Sequence, residues 1–221
     1  MKAHRGLLII AAAFVVVGMA ICGVSFALMG CDFGALSMAD YVTNETVVSD
    51  TFSNVSIKVD TSNVKLVPSE DDTVRVVCYE DDQETHDVRV ESDTLAVSMR
   101  NSRQRLFGFH IQTKAPSTTV YLPKESYGDL SIETDTGEVS ISGLVFERME
   151  IQDGVGDVIF DACDAGEISV TTDTGDVTGT LLTEKVFYTH TDTGSVNVPR
   201  TTTGGRCEIT TDTGDIEIDL P

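Results

Sequence analysis

A short polar phrase recurs along the C-terminal half of the chain at nearly constant spacing. The phrase is Thr-Asp-Thr-Gly, an acidic residue and Val, complete at residues 134–139 and 172–177. Copies at 191–196 and 211–216 differ from it in one residue each, and a degenerate copy lies at 153–158. The turn glycines are 19, 19, 19 and 20 residues apart and are Gly137, Gly156, Gly175, Gly194 and Gly214. Such a period is typical of proteins that stack one structural unit on the next.

Alignment of the copies on their glycines places apolar residues in columns on both sides of the turn. Seven residues before the glycine stand Leu130, Met149, Ile168, Phe187 and Cys207. Two residues after it stand Val139, Val158, Val177, Val196 and Ile216. Polar residues alternate with the columns, which is the period of half-buried β-strands. Each copy therefore predicts two short strands around a turn in which glycine supplies a positive φ.

A unit with only two short strands cannot bury its own apolar face, but units stacked about 4.8 Å apart share a continuous core. We therefore predict an all-β fold whose main part, residues 130–221, is a parallel β-solenoid of about 19-residue coils. Residues 55–66 fit the same template with Ser62 at the turn, and they indicate one divergent coil. The irregular strands elsewhere within residues 51–129 are expected to form a β-rich N-terminal cap.

An uncharged apolar stretch, residues 7–30, precedes the β-rich part. It is longer than the roughly 20 residues that cross a bilayer as a helix. Lys2 and Arg5 precede the stretch and Asp32 follows it, so the positive-inside rule places residues 1–6 in the cytoplasm. We expect one transmembrane helix and a single-pass protein of the cell membrane, with its C-terminal domain extracellular.

Residues 31–50 are expected to form a polar linker between this anchor and the β-rich part. Two alternatives to an uncleaved anchor remain open. Ser25–Ala27 resembles a signal-peptide cleavage site, and residues 28–31, Leu-Met-Gly-Cys, resemble a lipoprotein box. All three possibilities place the β-rich domain outside the cytoplasm.

The charge of the chain is strongly one-sided. It has 36 acidic and 15 Lys or Arg residues, a formal net charge of −21, and no segregated basic face. Phosphate backbones repel such a surface, so we expect no nucleic-acid partner.

The repeats, the apolar anchor and residues 54–72, NVSIKVDTSNVKLVPSEDD, together resemble a known bacterial family. The family carries the "putative adhesin" domain of unknown function, also called Toastrack or DUF4097. The resemblance implies a membrane-tethered extracytoplasmic β-solenoid, found in some bacteria alongside envelope-stress membrane proteins. It implies no activity, because the family has no established catalytic residues.

Asp-Thr-Gly is also the active-site tripeptide of aspartic proteases, in which two such loops converge and share one proton. Copies one coil apart instead stack side by side along one edge. The chain also has no Gly-rich phosphate loop, nucleophile elbow or zinc motif. We therefore expect no enzymatic activity and no cofactor.

Stacking would align carboxylates along the turns, and oxygen ligands on neighbouring coils suit Ca²⁺. This calcium file would consist of Asp135, Asp173, Asp192 and Asp212. The period does not match that of calcium-binding β-rolls, and turns favour Asp and Thr for local hydrogen bonds. We expect no bound metal, with the calcium file as the alternative.

The cysteines and histidines show no metal-ligand spacing along the sequence. Cys163 and Cys207 fall at repeat positions occupied by apolar residues, so we interpret them as buried small side chains. The function that remains is a binding or adhesion module that contacts other envelope or surface components. The alternative is envelope-stress sensing or scaffolding with membrane partners.

Overall fold

The structure is a computed structural model that describes residues 14–21, 23–24, 42–80, 84–101 and 116–221. Of the predicted anchor, only residues 14–21 and 23–24 are described, and they are helical. Within the described ranges, no helix is both long and apolar enough to cross a membrane. The rest of the anchor and most of the linker lie outside the described residues.

The remaining described residues are organised almost entirely as β-strands, which confirms the all-β prediction. Along the described chain there are sixteen strands: β1 (Val42–Val48), β2 (Asn54–Thr61), β3 (Asn63–Pro68), β4 (Val74–Glu80), β5 (Glu84–Glu91), β6 (Thr94–Asn101), β7 (Ser117–Leu122), β8 (Ser126–Thr136), β9 (Val139–Ser142), β10 (Val145–Val155), β11 (Val158–Thr174), β12 (Val177–Leu181), β13 (Lys185–Thr193), β14 (Val196–Asn197), β15 (Gly205–Thr213) and β16 (Ile216–Asp219).

Each repeat copy contributes one strand to each of two sheets, and we call such a unit a coil, named by the residue at its turn. The first sheet has the order β1-β4-β7-β3-β9-β11-β12-β16-β14, and the second has the order β5-β6-β2-β8-β10-β11-β15-β13. Coils pair in parallel and in the predicted columns. Met149, for example, lies opposite Leu130 on one side and Ile168 on the other.

Strand β11 belongs to both sheets. Its first residues, 158–161, pair with β9, and its later residues, 167–174, pair with β15. Between them Ala162 has a positive φ of 49° and the pairing with β12 shifts register. One continuous strand therefore joins the two sheets.

The predicted apolar columns form the core. Side chains from both sheets, including Leu130, Met149, Val158 and Val177, belong to one buried cluster. Val196 is 44% exposed although it occupies the same column as Val158 and Val177. Its coil is at the end of the stack, so no further coil of the described residues covers it.

The C-terminal coils do not stack in chain order. Thr211 pairs with Thr172 on one side and with Thr191 on the other, so the Gly214 coil lies between the Gly175 and Gly194 coils. Val196 follows Val177 in the column read along the sequence, but in the stack Ile216 lies between them.

The composition of the Gly214 and Gly194 coils explains why the Gly214 coil lies inside the stack. The Gly214 coil has buried Ile209 where the Gly194 coil has the more polar Thr189. Placing the more apolar coil inside the stack buries more apolar surface, and the less apolar coil takes the end.

At the N-terminal side, the parallel pattern gives way to antiparallel strands. Strand β7 is parallel to β3, but β4 runs antiparallel between β1 and β7. In the second sheet, β6 is parallel to β2, and β5 forms an antiparallel hairpin with β6. These strands, β1 and β4 to β7, are called the cap below.

Candidate functional site

The turn glycines lie directly against one another along the edge of the stack. A Cβ at Gly175 would lie 1.8 Å from the carbonyl oxygen of Gly156, and one at Gly214 would lie 2.0 Å from that of Gly175. Gly175 also has a φ of 154°. Close backbone approach thus requires glycine here, which accounts for the most regular residue of the repeat.

Three of the acidic residues that follow a turn glycine bind the backbone of a neighbouring coil. Asp157 Oδ1 accepts a hydrogen bond of 2.9 Å from the Asp176 N–H, and Asp176 Oδ1 accepts one of 2.7 Å from the Asp215 N–H. Asp215 accepts bonds from both the N–H and the hydroxyl of Ser195, which lower the pKa of its carboxyl group. These carboxylates therefore stabilise the stack itself.

In four of the five copies an acidic residue lies two positions before the glycine and is exposed. This row holds the predicted calcium file, and its order along the stack is Asp135, Asp173, Asp212 and Asp192, because of the coil order. Gly154 interrupts the row between the first two carboxylates. The Asp192 carboxylate lies 2.9 Å from His190 Nε2. The absence of bound metal stays the prediction, with the calcium file as the alternative.

The first Thr of the phrase points inward. Thr211 Oγ1 donates to the Gly175 carbonyl at 3.2 Å, and Thr191 Oγ1 donates to the Gly214 carbonyl at 2.9 Å. In the Gly156 coil this position is Asp153, which is only 5% exposed and pairs in register with Thr134 and Thr172.

Asp153 is buried without a hydrogen bond of normal geometry to either carboxyl oxygen within the described chain. The hydroxyls of the neighbouring Thr134 and Thr172 also have no partner there. Burial raises the pKa of Asp153 to about 6, and the nearby carboxylates of Asp157 and Asp173 contribute to that increase. Asp153 is thus a buried acid whose ionisation opposes folding.

A second group of chemically active side chains lies inside the cap. One S, O or N atom from each of three side chains lies within 4.8 Å of the other two. The residues are Cys78 and Glu80 on β4 and His86 on β5. Glu80 Oε2 is 2.7 Å from His86 Nδ1 and accepts a 2.6 Å bond from the His86 backbone N–H. The His86 side chain is 1% exposed and that of Glu80 is 5% exposed.

Two further residues hold this group. Asn44 Nδ2 donates to Glu80 Oε1 at 2.5 Å, and Thr118 Oγ1 lies 3.0 Å from His86 Nε2. Burial beside Glu80 raises the pKa of the Cys78 thiol to about 12.

Sequence reasoning missed this cluster, because it tested only the spacing of Cys and His along the chain. The available signal was the alternation of β4, which places Glu80 at an inward position after Val76 and Cys78. An acidic residue at a core position needs a partner.

Comparison with known proteins supports the fold and the family. The Toastrack DUF4097 family model matches residues 52–221. The chain belongs to this family. Among curated proteins, no sequence matches it.

A solved structure with a TM-score above 0.5 resembles the Toastrack domain in fold. A "putative cell adhesion protein" from Clostridium sporogenes has a TM-score of 0.64 at 11% identity, covering 82% of this chain and 100% of that chain. A "putative adhesin" from Bacteroides fragilis has a TM-score of 0.43 at 18% identity, covering 81% of this chain and 97% of that chain. At these identities the first likeness shows the fold alone.

The Toastrack domain also contains a buried ion pair. Lys185 Nζ lies 2.5 Å from Asp164 Oδ1, and both side chains are under 8% exposed. Lys185 Nζ also donates to the Thr183 hydroxyl, while Asp164 accepts the Ala165 N–H at 2.8 Å. This pair connects the start of β13 to the middle of β11, so it fixes the Gly194 coil to the stack.

The end of the Toastrack stack is a surface of different character. In the Gly194 coil, Val196 is 44% exposed, although Val158, Val177 and Ile216 of the same column are buried. Tyr188, at an outward-facing position of β13, is 53% exposed. Strand β13 pairs with β15 and with no other described strand. We call residues 185–197 the end coil. Its outer edge carries backbone groups that no described strand pairs.

Proposed function

We propose that this protein is a membrane-anchored extracytoplasmic β-solenoid that binds another protein of the cell envelope or surface and has no catalytic activity. The observation that carries the proposal is the uncovered end coil. Family membership and the adhesin-like fold of the Clostridium structure are consistent with it.

The end coil offers two kinds of contact. The free edge of β13 can pair with an extended strand of a partner, as in β-strand addition. Beside that edge, Tyr188 and Val196 supply apolar contact area, and Arg206 stacks over the Tyr188 ring at 4.9 Å from its centroid. Aromatic and Arg side chains are enriched at protein interfaces.

The non-catalytic part of the proposal is supported by the burial of the candidate catalytic groups. Thr118, His86 and Glu80 are arranged like a nucleophile, base and orienting acid, with contacts of 3.0 and 2.7 Å. However, Thr118 is 0% exposed, so a substrate cannot reach its hydroxyl. Catalysis needs a substrate atom close to both the nucleophile, Thr118, and the base, His86.

The proposed location is based on the apolar stretch at residues 7–30, which is long enough to anchor the domain as a helix. The basic residues before it support an extracellular location for the Toastrack domain. A partner in the envelope or on another cell would then have access to the end coil.

The test uses full-length protein displayed on its own cells, with Val196→Lys as the variant and Val155→Lys as the matched control. Both valines are exposed, but Val155 lies at a turn in the middle of the stack. Protease treatment of whole cells first checks that the domain is outside. We then expect V196K to lose cell adhesion and partner cross-linking, while V155K retains both.

Equal adhesion by the two variants would contradict the end coil as the binding surface. Enrichment of membrane stress proteins in the cross-linked material, without any adhesion phenotype, would contradict the adhesion role and support envelope-stress scaffolding instead.

A further inference from the structure

We propose that Cys78, Glu80 and His86 form a binding site for a transition-metal ion of the Zn²⁺ class inside the cap. The three side chains come from two strands of different sheets, yet one potential ligand atom of each lies within 4.8 Å of the other two. This inference is independent of the proposed binding function.

The donor set selects the metal. Thiolate, imidazole and carboxylate are the protein ligands of Zn²⁺, whereas Ca²⁺ and Mg²⁺ take oxygen ligands alone. Zn–ligand bonds of about 2.0–2.3 Å place the ligand atoms of a tetrahedral site roughly 3.5 Å apart. Atoms that already lie within 4.8 Å reach this geometry by side-chain adjustments of about 1 Å.

The surrounding hydrogen bonds orient the ligands. His86 Nδ1 faces Glu80 Oε2, while its Nε2 lies 3.0 Å from Thr118 Oγ1. Nδ1 thus lies beside the Glu80 carboxylate, and Thr118 holds the ring at its other nitrogen. Asn44 holds the other oxygen of Glu80. Partners of this kind around metal ligands set the orientation of the first shell.

Charge balance favours a divalent cation. A buried Cys78 thiolate and the Glu80 carboxylate together carry two negative charges, which neutralise the ion. On binding, the Cys78 S–H bond breaks, the sulfur binds the metal and the proton passes to solvent. Because burial raises the pKa of this thiol to about 12, the metal must displace the proton, and affinity falls as the pH is lowered.

The bound ion would connect the two sheets. Cys78 and Glu80 lie on β4 of the first sheet, and His86 lies on β5 of the second sheet. Strands β4 and β5 follow each other in the chain, but the backbone pairing of β5 is with β6 alone among the described strands. A metal would therefore connect the edge strand β5 to β4 in addition to its pairing with β6.

The experiment titrates the full-length protein in detergent, under a metal-free reductant, with Co²⁺ and then with Zn²⁺. We expect a thiolate-to-cobalt charge-transfer band that Zn²⁺ abolishes by competition. At about 100 times Kd, Zn²⁺ should raise Tm by about 5 °C, while Ca²⁺ should leave the band unchanged.

The variants are Cys78→Ser and His86→Gln, and the matched control is Cys207→Ser, which changes an equally buried thiol in the middle of the stack. We expect C78S to lose the band and H86Q to bind Co²⁺ at least tenfold more weakly, with C207S unchanged. Melting curves without metal establish that each variant is folded.

Absence of the band in the wild-type protein would overturn the proposal, as would a band that persists in C78S. If C78S does not fold, Glu80→Gln takes its place together with H86Q, and unchanged affinity in both would equally overturn it.

Discussion

Asp153 is the residue at which the repeat departs most clearly from its own pattern. Every other Gly-centred copy has a Thr at this inward position, and the two described Thr hydroxyls that find partners bond to glycine carbonyls of the next coil. Asp153 has no such bond and is 5% exposed. Its pKa of about 6 is well above the ordinary 3.8, so the folded state holds a proton that the unfolded state releases.

Replacing Asp153 with Thr should stabilise the protein at neutral pH by about 3 kcal/mol, because the buried charge is removed. Between pH 4 and 6 the folded protein binds more protons at this site than the unfolded chain, so wild-type stability decreases as the pH rises through that range. Urea denaturation at a series of pH values measures the stability of the wild type and of D153T. The stability gain of D153T should vanish below about pH 4. A gain that does not change with pH would show that Asp153 is not the titrating group.

At the scale of strands, the sequence was sufficient to predict which residues face the core. Alternation and the turn glycine are local signals, and the columns of Leu130 and Val139 are buried as predicted except for Phe187 and Val196 of the end coil. The cap was less predictable. Its antiparallel pairing depends on which strands meet, and no repeat records that choice in the sequence. The meeting of Cys78 and His86 follows from this pairing, so spacing along the chain could not reveal it.

Substitution of Val177 tests the strand register. Val177 is 0% exposed and lies between Val158 and Ile216, so Val177→Asp should cost on the order of 4 kcal/mol by burying an unpaired carboxylate. Thr178→Asp is the control. Thr178 lies opposite Glu217 and is partly exposed, so the added charge should cost under about 1 kcal/mol. Chemical denaturation measures both, and equal losses of stability would be incompatible with the register.

At the scale of the whole molecule, the order of the coils is the feature that the sequence left undetermined. Cys207 and Phe187 occupy the same column, and either coil could pair with Ile168 without changing the register. Because the columns are interchangeable, order depends on the total apolar surface buried and on the connections between coils. These are properties of the complete stack, and alignment of single copies does not measure them.

Coil order also determines how the calcium alternative is tested. The exposed carboxylates of Asp173 and Asp212 lie on adjacent coils, since Thr172 pairs with Thr211, whereas Asp192 is one coil further away. The acidic row after the glycines already accepts backbone N–H bonds, as Asp157 does from Asp176. We therefore expect millimolar Ca²⁺ and Mg²⁺ to raise Tm slightly and equally, by screening repulsion within a chain of net charge −21.

A true site would behave differently, because flexible clustered oxygen ligands favour Ca²⁺ over Mg²⁺. The double variant Asp173→Asn with Asp212→Asn, measured by thermal melting in each ion at equal ionic strength, separates the two cases. Under simple screening, the variant melts slightly higher than the wild type without divalent ions and shows no difference between Ca²⁺ and Mg²⁺. An increase in Tm that is specific to Ca²⁺ in the wild type and lost in this variant would establish the calcium file.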